Sequence, residues 1–285
     1  MEVSAKAASR LRDMIAEDLP KAYGLSRLAQ WPHRFDDWDI MLRLGRGIVA
    51  ERNGEVVGTV MAWRYGADAA SLGMVIVSPS CRGQGLGRKL MEAMLTRLGD
   101  RMVLLNATDE AVRLYGNLGF HAVGAIHQHQ GAAFSVPVVS LRKHERLRPL
   151  SSADREAILT LDHAATGLVR KDLIASLIQT AQGVVLDRAG EAVGFALFRR
   201  FGHGYAIGPV TAPDVQGAKA LISHWLSSRP GMFVRIDVPG DSKVAAWLAG
   251  FGLPLVGHVT SMTRHALHHE CSSATRFAIV GQAFG

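Results

Sequence analysis

The amino-acid sequence predicts a mixed α/β (α+β) fold made of two tandem domains, each a central, mostly antiparallel sheet flanked by helices. Three observations carry this. A chain of 285 residues suits two domains at roughly 100–200 residues each. Its 48% hydrophobic and 20% charged residues permit a sizeable core and set it apart from disordered or collagen-like chains. Above all, the chain contains itself twice. Residues 47–66, GIVAERNGEVVGTVMAWRYG, and 183–202, GVVLDRAGEAVGFALFRRFG, are identical at nine of twenty positions at an offset of 136, against roughly one or two expected by chance from composition.

Each of these segments is an apolar run, a polar turn ending in Gly-Glu and a second run, the pattern of a β-hairpin. In the first copy the strand-like Ser71–Val77 follows, then Pro79 and a helical stretch; in the second, Tyr205–Val210, Pro213 and a helical stretch. Further on, Arg101–Leu105, a helix and Leu118-Gly119-Phe120 answer to Met232–Asp237, a helix and Phe251-Gly252-Leu253. Hairpins early and a strand-helix-strand unit late describe a domain with a central sheet. The junction falls in the charged stretch Arg142–Arg148, before Pro149 and the helix cap Ser151. That gives a first domain over 1–145 and a second over 146–285.

Several function classes are excluded on composition. The longest purely apolar stretches, such as Met74–Val77 and Ala278–Val280, fall far short of the ~20 residues that span a bilayer. The first 24 residues mix acidic with apolar positions and do not read as a signal peptide, so a cytoplasmic protein without membrane contact is expected. Cys81 and Cys271 lack CxxC spacing and suit neither a disulfide framework nor a thiolate zinc site. The formal charge of +7, from 32 Lys+Arg against 25 Asp+Glu, raises nucleic acid or an anionic cofactor as partners. Nucleic acid is disfavoured, because the arginines are scattered among acidic neighbours without a basic run or interleaved aromatics. His265, His268 and His269 have the i, i+3, i+4 spacing of a metal-binding helix face, but Leu255–Ala266 reads as a strand, and no metal is expected.

The most informative segment runs Gly73-Met74-Val75-Ile76-Val77-Ser78-Pro79-Ser80-Cys81-Arg82-Gly83-Gln84-Gly85-Leu86-Gly87-Arg88. An apolar strand enters a turn rich in Gly and Arg, then an amphipathic helix with Leu90, Met91, Met94, Leu95 and Leu98 at helical spacing. Glycines let backbone amides converge, the helix start adds the positive end of its dipole, and Arg82 and Arg88 add charge-assisted hydrogen bonds, so the segment suits a diphosphate. A dinucleotide-binding GxGxxG fails on the order of the glycines and on the missing acidic residue of a second strand; a Walker loop fails for want of Gly-Lys-Ser/Thr. Val77–Gly87 resembles the acyl-CoA pyrophosphate loop of the GNAT superfamily of N-acetyltransferases, Arg/Gln-x-x-Gly-x-Gly/Ala after a strand ending in Val-x-Pro. Ala111-Val-Arg-Leu-Tyr115-Gly-Asn-Leu-Gly119-Phe120 resembles the family's helix ending in Leu-Tyr-x-x-x-Gly-Phe. The resemblance covers about residues 35–142, and the repeat resembles a tandem form with a second, diverged GNAT-like domain.

The resemblance implies an acetyl-CoA-dependent N-acetyltransferase acting on a primary amine, here taken as a small molecule. A protein acetyltransferase for lysine or an N-terminus, and a non-catalytic CoA-binding regulator, are the alternatives. By the same resemblance, the backbone of Val75, Ile76 and Val77 would pair with the pantetheine arm like an added strand. The amides of Gly83, Gln84, Gly85, Leu86 and Gly87 would hold the pyrophosphate, aided by Arg82 and Arg88. Tyr115 would donate its proton to the departing thiolate, a phenol being neutral at pH 7; otherwise it packs beside Leu114 and Leu118. The carboxylate many family members carry on the cofactor strand is missing from Ser71–Val77. His33, Asp37, Asp109, His127 and His129 are candidate bases, each of them also readable as a solvated or capping residue, and a water relay would serve as well.

In the family, the segment before the first hairpin walls the acceptor site, and here it carries Trp31, His33, Asp37 and Trp38. Trp faces beside carboxylates would suit a cationic amine; the other reading is a helix pair with Trp in the core and Asp at the caps. In the second copy Asp214-Val-Gln-Gly217-Ala-Lys219 replaces the Gly-Arg loop, and Leu248 stands opposite Tyr115. One CoA per chain is therefore expected, with the second domain as a wall of the acceptor site or a packing partner. A homodimer is compatible with the sequence.

Overall fold

The computed structural model describes residues 9–134, 136, 138–265 and 274–285. Its first half runs β1 (Arg10–Asp13), α1 (Leu19–Leu28), α2 (Phe35–Leu44), β2 (Arg46–Arg52), β3 (Glu55–Tyr65), β4 (Ala69–Val77), α3 (Leu86–Leu98), β5 (Met102–Ala107), α4 (Asp109–Gly116) and β6 (His121–Ala132). The second half repeats the order as β7 (Glu145–Pro149), α5 (Arg155–Thr166), α6 (Lys171–Thr180), β8 (Gln182–Arg188), β9 (Glu191–Phe201), β10 (Gly204–Ala212), α7 (Val215–Ser228), β11 (Phe233–Pro239), α8 (Ala245–Gly250) and β12 (Leu255–Arg264), followed by β13 (Thr275–Ala278). The fold class is the expected one. Of the three clustered histidines, His268 and His269 lie outside the described residues, as does Cys271. No described helix is long and apolar enough to cross a membrane.

The repeated hairpins form as β2–β3 and β8–β9. Their turns, Asn53-Gly54 and Ala189-Gly190, place both residues at positive φ (53° and 77°; 53° and 96°), the two-residue turn whose twist matches paired strands. The repeat also extends beyond visible identity. Arg12 binds Asp18 at 2.7 Å and Glu51 at 2.8 Å, and 136 positions on, Arg148 binds Asp154 at 2.7 Å and Asp187 at 2.8 Å. In each half this guanidinium ties the first strand to the second and to the turn that opens the first helix. Its hydrogen bonds hold the Asp154 carboxyl down to about 2.

Two separate sheets are not what the chain builds. The strands join in one sheet, ordered β1-β2-β3-β4-β5-β12-β6-β11-β10-β9-β8-β7, with β13 beside β10. Each half keeps its first five strands and gives its sixth to the other: β12 pairs with β5 (Thr260 opposite Ala107) and β6 with β11 (His127 opposite Val238). The two exchanged strands pair with each other at the centre, His258 opposite His127. Among the described strands only β4–β5 and β10–β11 are parallel, each spanned by a helical crossover.

Strand alternation divides the core between the two faces of this sheet. Met61 and Trp63 of β3 turn to one face, where they share a single apolar cluster with Leu25 of α1, Met41 of α2, Ile158 of α5 and Leu177 of α6. Val60 and Ala62 turn to the other, under α3 and α4; in the second half that face packs under α7 and α8. After β13 the chain crosses back to the first half. There Asn106 on β5 donates to the Gln282 carbonyl at 2.9 Å and Tyr65 to that of Phe284 at 2.6 Å, while the buried Arg170 of the second half, paired with Asp162, donates to that of Gly285 at 2.6 Å.

Candidate active site

The site begins where two parallel strands part. β4 and β5 pair only over Ala69–Ser71 and Met102–Leu104 and then diverge. The divergence starts at a bulge in β4, where Met74 adopts a φ of 53° and its carbonyl accepts a 2.7 Å hydrogen bond from Thr59. A side chain in the left-handed region costs about 1–2 kcal/mol, and pairing to β3 on both sides of the bulge offsets it. Beyond it, Ile76 and Val77 keep one edge on β3, and Val75, Ile76 and Val77 line an open cleft of about 860 Å³.

The glycine loop forms the next wall. Gly83 and Gly85 have φ of 71° and 74° with open space where a Cβ would stand, so backbone conformation selects glycine at these positions. Gly85 is the N-cap of α3 and supplies no side-chain cap, which leaves the first amides of that helix available to an anion. Leu86, Gly87 and Arg88 line the same cleft, as does Arg82, whose Nε lies 3.4 Å from the Val77 carbonyl. Arg88 is half-exposed and pairs with Glu92 at 2.8 Å. Gln84 does not line the cleft: its side chain donates to the Ser80 carbonyl and accepts from Arg52, both at 3.1 Å.

Tyr115, on α4, closes the cleft beside Leu114. Its ring is buried against Phe120 at 6.1 Å between centroids, and among the described residues its hydroxyl has no hydrogen-bond partner. Burial pushes the phenol up to about 12, so it carries its proton throughout the neutral range.

Of the four residues expected to wall an acceptor, the structure brings Trp31 to the cleft and places the others elsewhere. Trp38 is fully buried and donates to Ser26 Oγ at 3.1 Å. Asp37 caps α2, accepting from the Arg34 amide at 2.8 Å and its guanidinium at 2.9 Å. His33 sits behind Trp31, edge-on to Phe201 at 5.4 Å, with Nδ1 buried and unpartnered among the described residues. Among the other candidate bases, Asp109 lines the cleft, whereas His127 and His129 lie on β6, separated from β5 by the whole of β12.

Burial, and to a lesser degree Arg235 and Arg199, push His33 down to about 4 against the pull of Asp37. A histidine depressed in the folded state binds its proton more readily when unfolded, so stability falls as pH drops from about 6.5 towards 4. His33→Phe is expected to remove about 2 kcal/mol of the stability difference between pH 7 and pH 4.5, read by denaturant titration at both. An unchanged difference refutes the assignment.

Two features escaped the sequence. The cleft is completed from the second half by His258 on β12, whose Nε2 lies 3.5 Å from Asp109 Oδ1. A pattern of one exposed histidine on a strand gives no hint of this, because the contact exists only through strand exchange.

The second is how the other splay is filled. β10 and β11 pair only at Tyr205–Ala206 and Val234–Arg235, and β10 breaks register between Ile207 and Val210. The next residues, Val210, Thr211 and Ala212, end β10 as Val75, Ile76 and Val77 end β4, and β13 occupies their free edge through Ala278, Arg276 and Thr275. The Ile279 amide then reaches the Asp237 carbonyl of β11 at 2.9 Å. At the start of α7 the Asp214 carboxylate accepts the Gly217 amide at 2.9 Å and meets Arg142 at 2.6 Å. The chain's own strand and its own carboxylate thus fill, in the second half, the edge and the helix start that the first half leaves open. Leu248, opposite Tyr115 in the repeat, is fully buried.

Such a splayed sheet, with a glycine loop at a helix start, is the arrangement that the resemblance to the acetyltransferases implies. The family model described as acetyltransferase (GNAT) family matches residues 10–120, and that described as acetyltransferase (GNAT) domain matches 158–275. The chain belongs to the GNAT acetyltransferases, as a tandem of two such domains. It is similar to the uncharacterized N-acetyltransferase YitH of Bacillus subtilis (strain 168), 26% identical over 226 residues, 76% of this chain and 79% of YitH. It is also similar to the holothin acyltransferase of Pseudoalteromonas sp. (strain SANK 73390), 23% identical across 66% of this chain and 63% of that one. In fold it matches a crystal structure from Pyrococcus horikoshii assigned as an acetyltransferase, with a TM-score of 0.80 at 17% identity over 98% of this chain and 96% of that one.

Proposed function

We propose that the chain transfers the acetyl group of acetyl-CoA to the nitrogen of a small primary amine, and that it binds one acetyl-CoA, in its first half. One observation carries the reading: a strand edge, a helix start and a Tyr115 hydroxyl, each without a partner among the described residues, open into the same cleft. The amides of Gly83, Gly85, Leu86 and Gly87, with Arg82 and Arg88, bind the diphosphate. The backbone of Val75–Val77 receives the pantetheine amides as an added strand. The neutral amine attacks the acetyl carbon, the C–N bond forms as the C–S bond breaks, the sulfur takes the Tyr115 proton, and the nitrogen sheds its surplus proton to solvent, from which Tyr115 is reprotonated.

Charge and shape suggest the acceptor. Arg82 and Arg88 stand on the loop wall, whereas Asp109 and Glu110 stand on the α4 wall, with Trp31 also lining the cleft. Two carboxylates and an aromatic face in one cleft favour a cationic amine. Behind the splay, Gln282 is bonded to Asn106 on β5, and Ala283 lies so close to Gly73 on β4 that an added Cβ would stand 3.2 Å from it. This backing favours a small acceptor over a peptide drawn across the site.

Titration calorimetry is expected to give one CoA per chain, and thiol release from acetyl-CoA is expected with amines of a small-molecule panel. Two CoA per chain contradicts the self-filled second splay. Release only with lysine peptides or protein N-termini favours the protein acetyltransferase; CoA binding without release to any acceptor favours the regulator.

A further inference from the structure

We infer that His258, carried into the first half by the exchanged strand β12, is the base that takes the proton of the acceptor amine; the inference rests on the acetyl-transfer reading above. No carboxylate stands on β4 to do this. β12 lies against β5 with Thr260 opposite Ala107, so His258, two residues further along, projects past the end of β5, where α4 begins. Val259 packs with Ile126 and Ile279 on one face of the sheet, and strand alternation therefore turns His258 to the other, the face of α4 and the cleft.

The ionisable side chains of the cleft divide by role. Arg82 and Arg88 are permanent cations on the loop wall, and Tyr115 holds its proton up to about 12. On the opposite wall Asp109 and Glu110 draw a cationic amine, and His258 stands among them, with His127 its cross-strand neighbour. Imidazole is the side chain that both accepts and releases a proton near neutrality. A proton on Nε2, facing Asp109 at 3.5 Å, leaves the lone pair on Nδ1 free. In the reaction one ammonium proton passes to Nδ1, the freed nitrogen pair forms the C–N bond as the C–S bond breaks, sulfur takes the Tyr115 proton, and the second proton that the nitrogen sheds goes to solvent, from which Tyr115 regains one. His258, 55% exposed in its side chain, returns its proton to water.

The test needs no knowledge of the acceptor. In bromoacetyl-CoA the carbon bearing bromine is one bond from the carbonyl carbon that the amine attacks. A ring nitrogen placed to receive the amine's proton is also placed to displace bromide there, forming an N–C bond, releasing bromide and losing one proton. Peptide mapping by mass spectrometry is expected to find the adduct on His258, blocked by excess CoA and lost in His258→Gln, a variant that still binds CoA. Adduct on Cys81 or Asp109 instead, or an unlabelled protein that calorimetry shows binding CoA, overturns the assignment. Failure of the parent protein to bind CoA overturns the acetyl-CoA reading, and this one with it.

Discussion

Gly85→Val is expected to weaken CoA binding about a hundredfold, the equivalent of about 2.7 kcal/mol. Two effects combine. Gly85 sits at φ 74° as the N-cap of α3, a conformation that costs a side chain about 1–2 kcal/mol, so the loop relaxes away from the geometry that aims its amides into the cleft. Nothing lies within 4 Å of the position a Cβ would take, so in the free protein the branched side chain folds into empty cleft, where the diphosphate must approach. Gly54→Val separates the two effects. Gly54 has φ 77° and equally open surroundings, but it lies in the β2–β3 turn, away from the cleft. That variant is expected to lose stability and keep its CoA affinity. Parent-like affinity in Gly85→Val, read by titration calorimetry, rejects the loop as the diphosphate site.

Tyr115→Phe is expected to lower kcat by about a hundredfold with little change in KM for acetyl-CoA, the range in which a positioned acid contributes. Phenylalanine keeps the ring against Phe120 and removes only the hydroxyl, so folding and cofactor binding persist. A proton donor to a leaving group acts in the transition state, and its loss therefore falls on turnover. Burial that holds the phenol near 12 also predicts that no fall in kcat between pH 7 and 9 comes from this group. Unchanged turnover in the variant, with chemistry shown to be rate-limiting, removes Tyr115 from the mechanism.

The parts of the site that could be read in advance are local in sequence. A strand, a glycine loop and a helix start lie within sixteen residues, Gly73 to Arg88, and their chemistry follows from backbone rules that do not depend on the rest of the chain. The repeat was legible for the same reason, as was the loss of the loop at Asp214. Of the segment expected to wall an acceptor, the sequence does not show which residues reach the cleft. Trp31 and Trp38 look alike in sequence, but the i, i+3 pattern of α2 turns Trp38 with Met41 into the core, while Trp31 lies on the link between helices. Asp37 and His33, from the same segment, instead cap α2 and pack it against the Phe201 turn. Strand exchange was not legible, because β6 and β12 come from equivalent places in the repeat and suit the edge of either half. With it went His258, whose role depends on which β5 its strand lies beside, and the filling of the second splay by residues distant in sequence.

The strand order reads the same from either end: five strands of one half, the sixth of the other, and then the mirror of that series. An approximate two-fold axis passes between β12 and β6, and the whole is laid out as a domain-swapped homodimer would be, with one peptide link joining its protomers. In a dimer of identical chains, any residue that fills one cofactor groove must fill both. Joined in a single chain, the two copies are released from that constraint. One groove can be stopped with a strand and an aspartate, and its exchanged strand can lend the other a histidine, while both remain locked in the same symmetric frame.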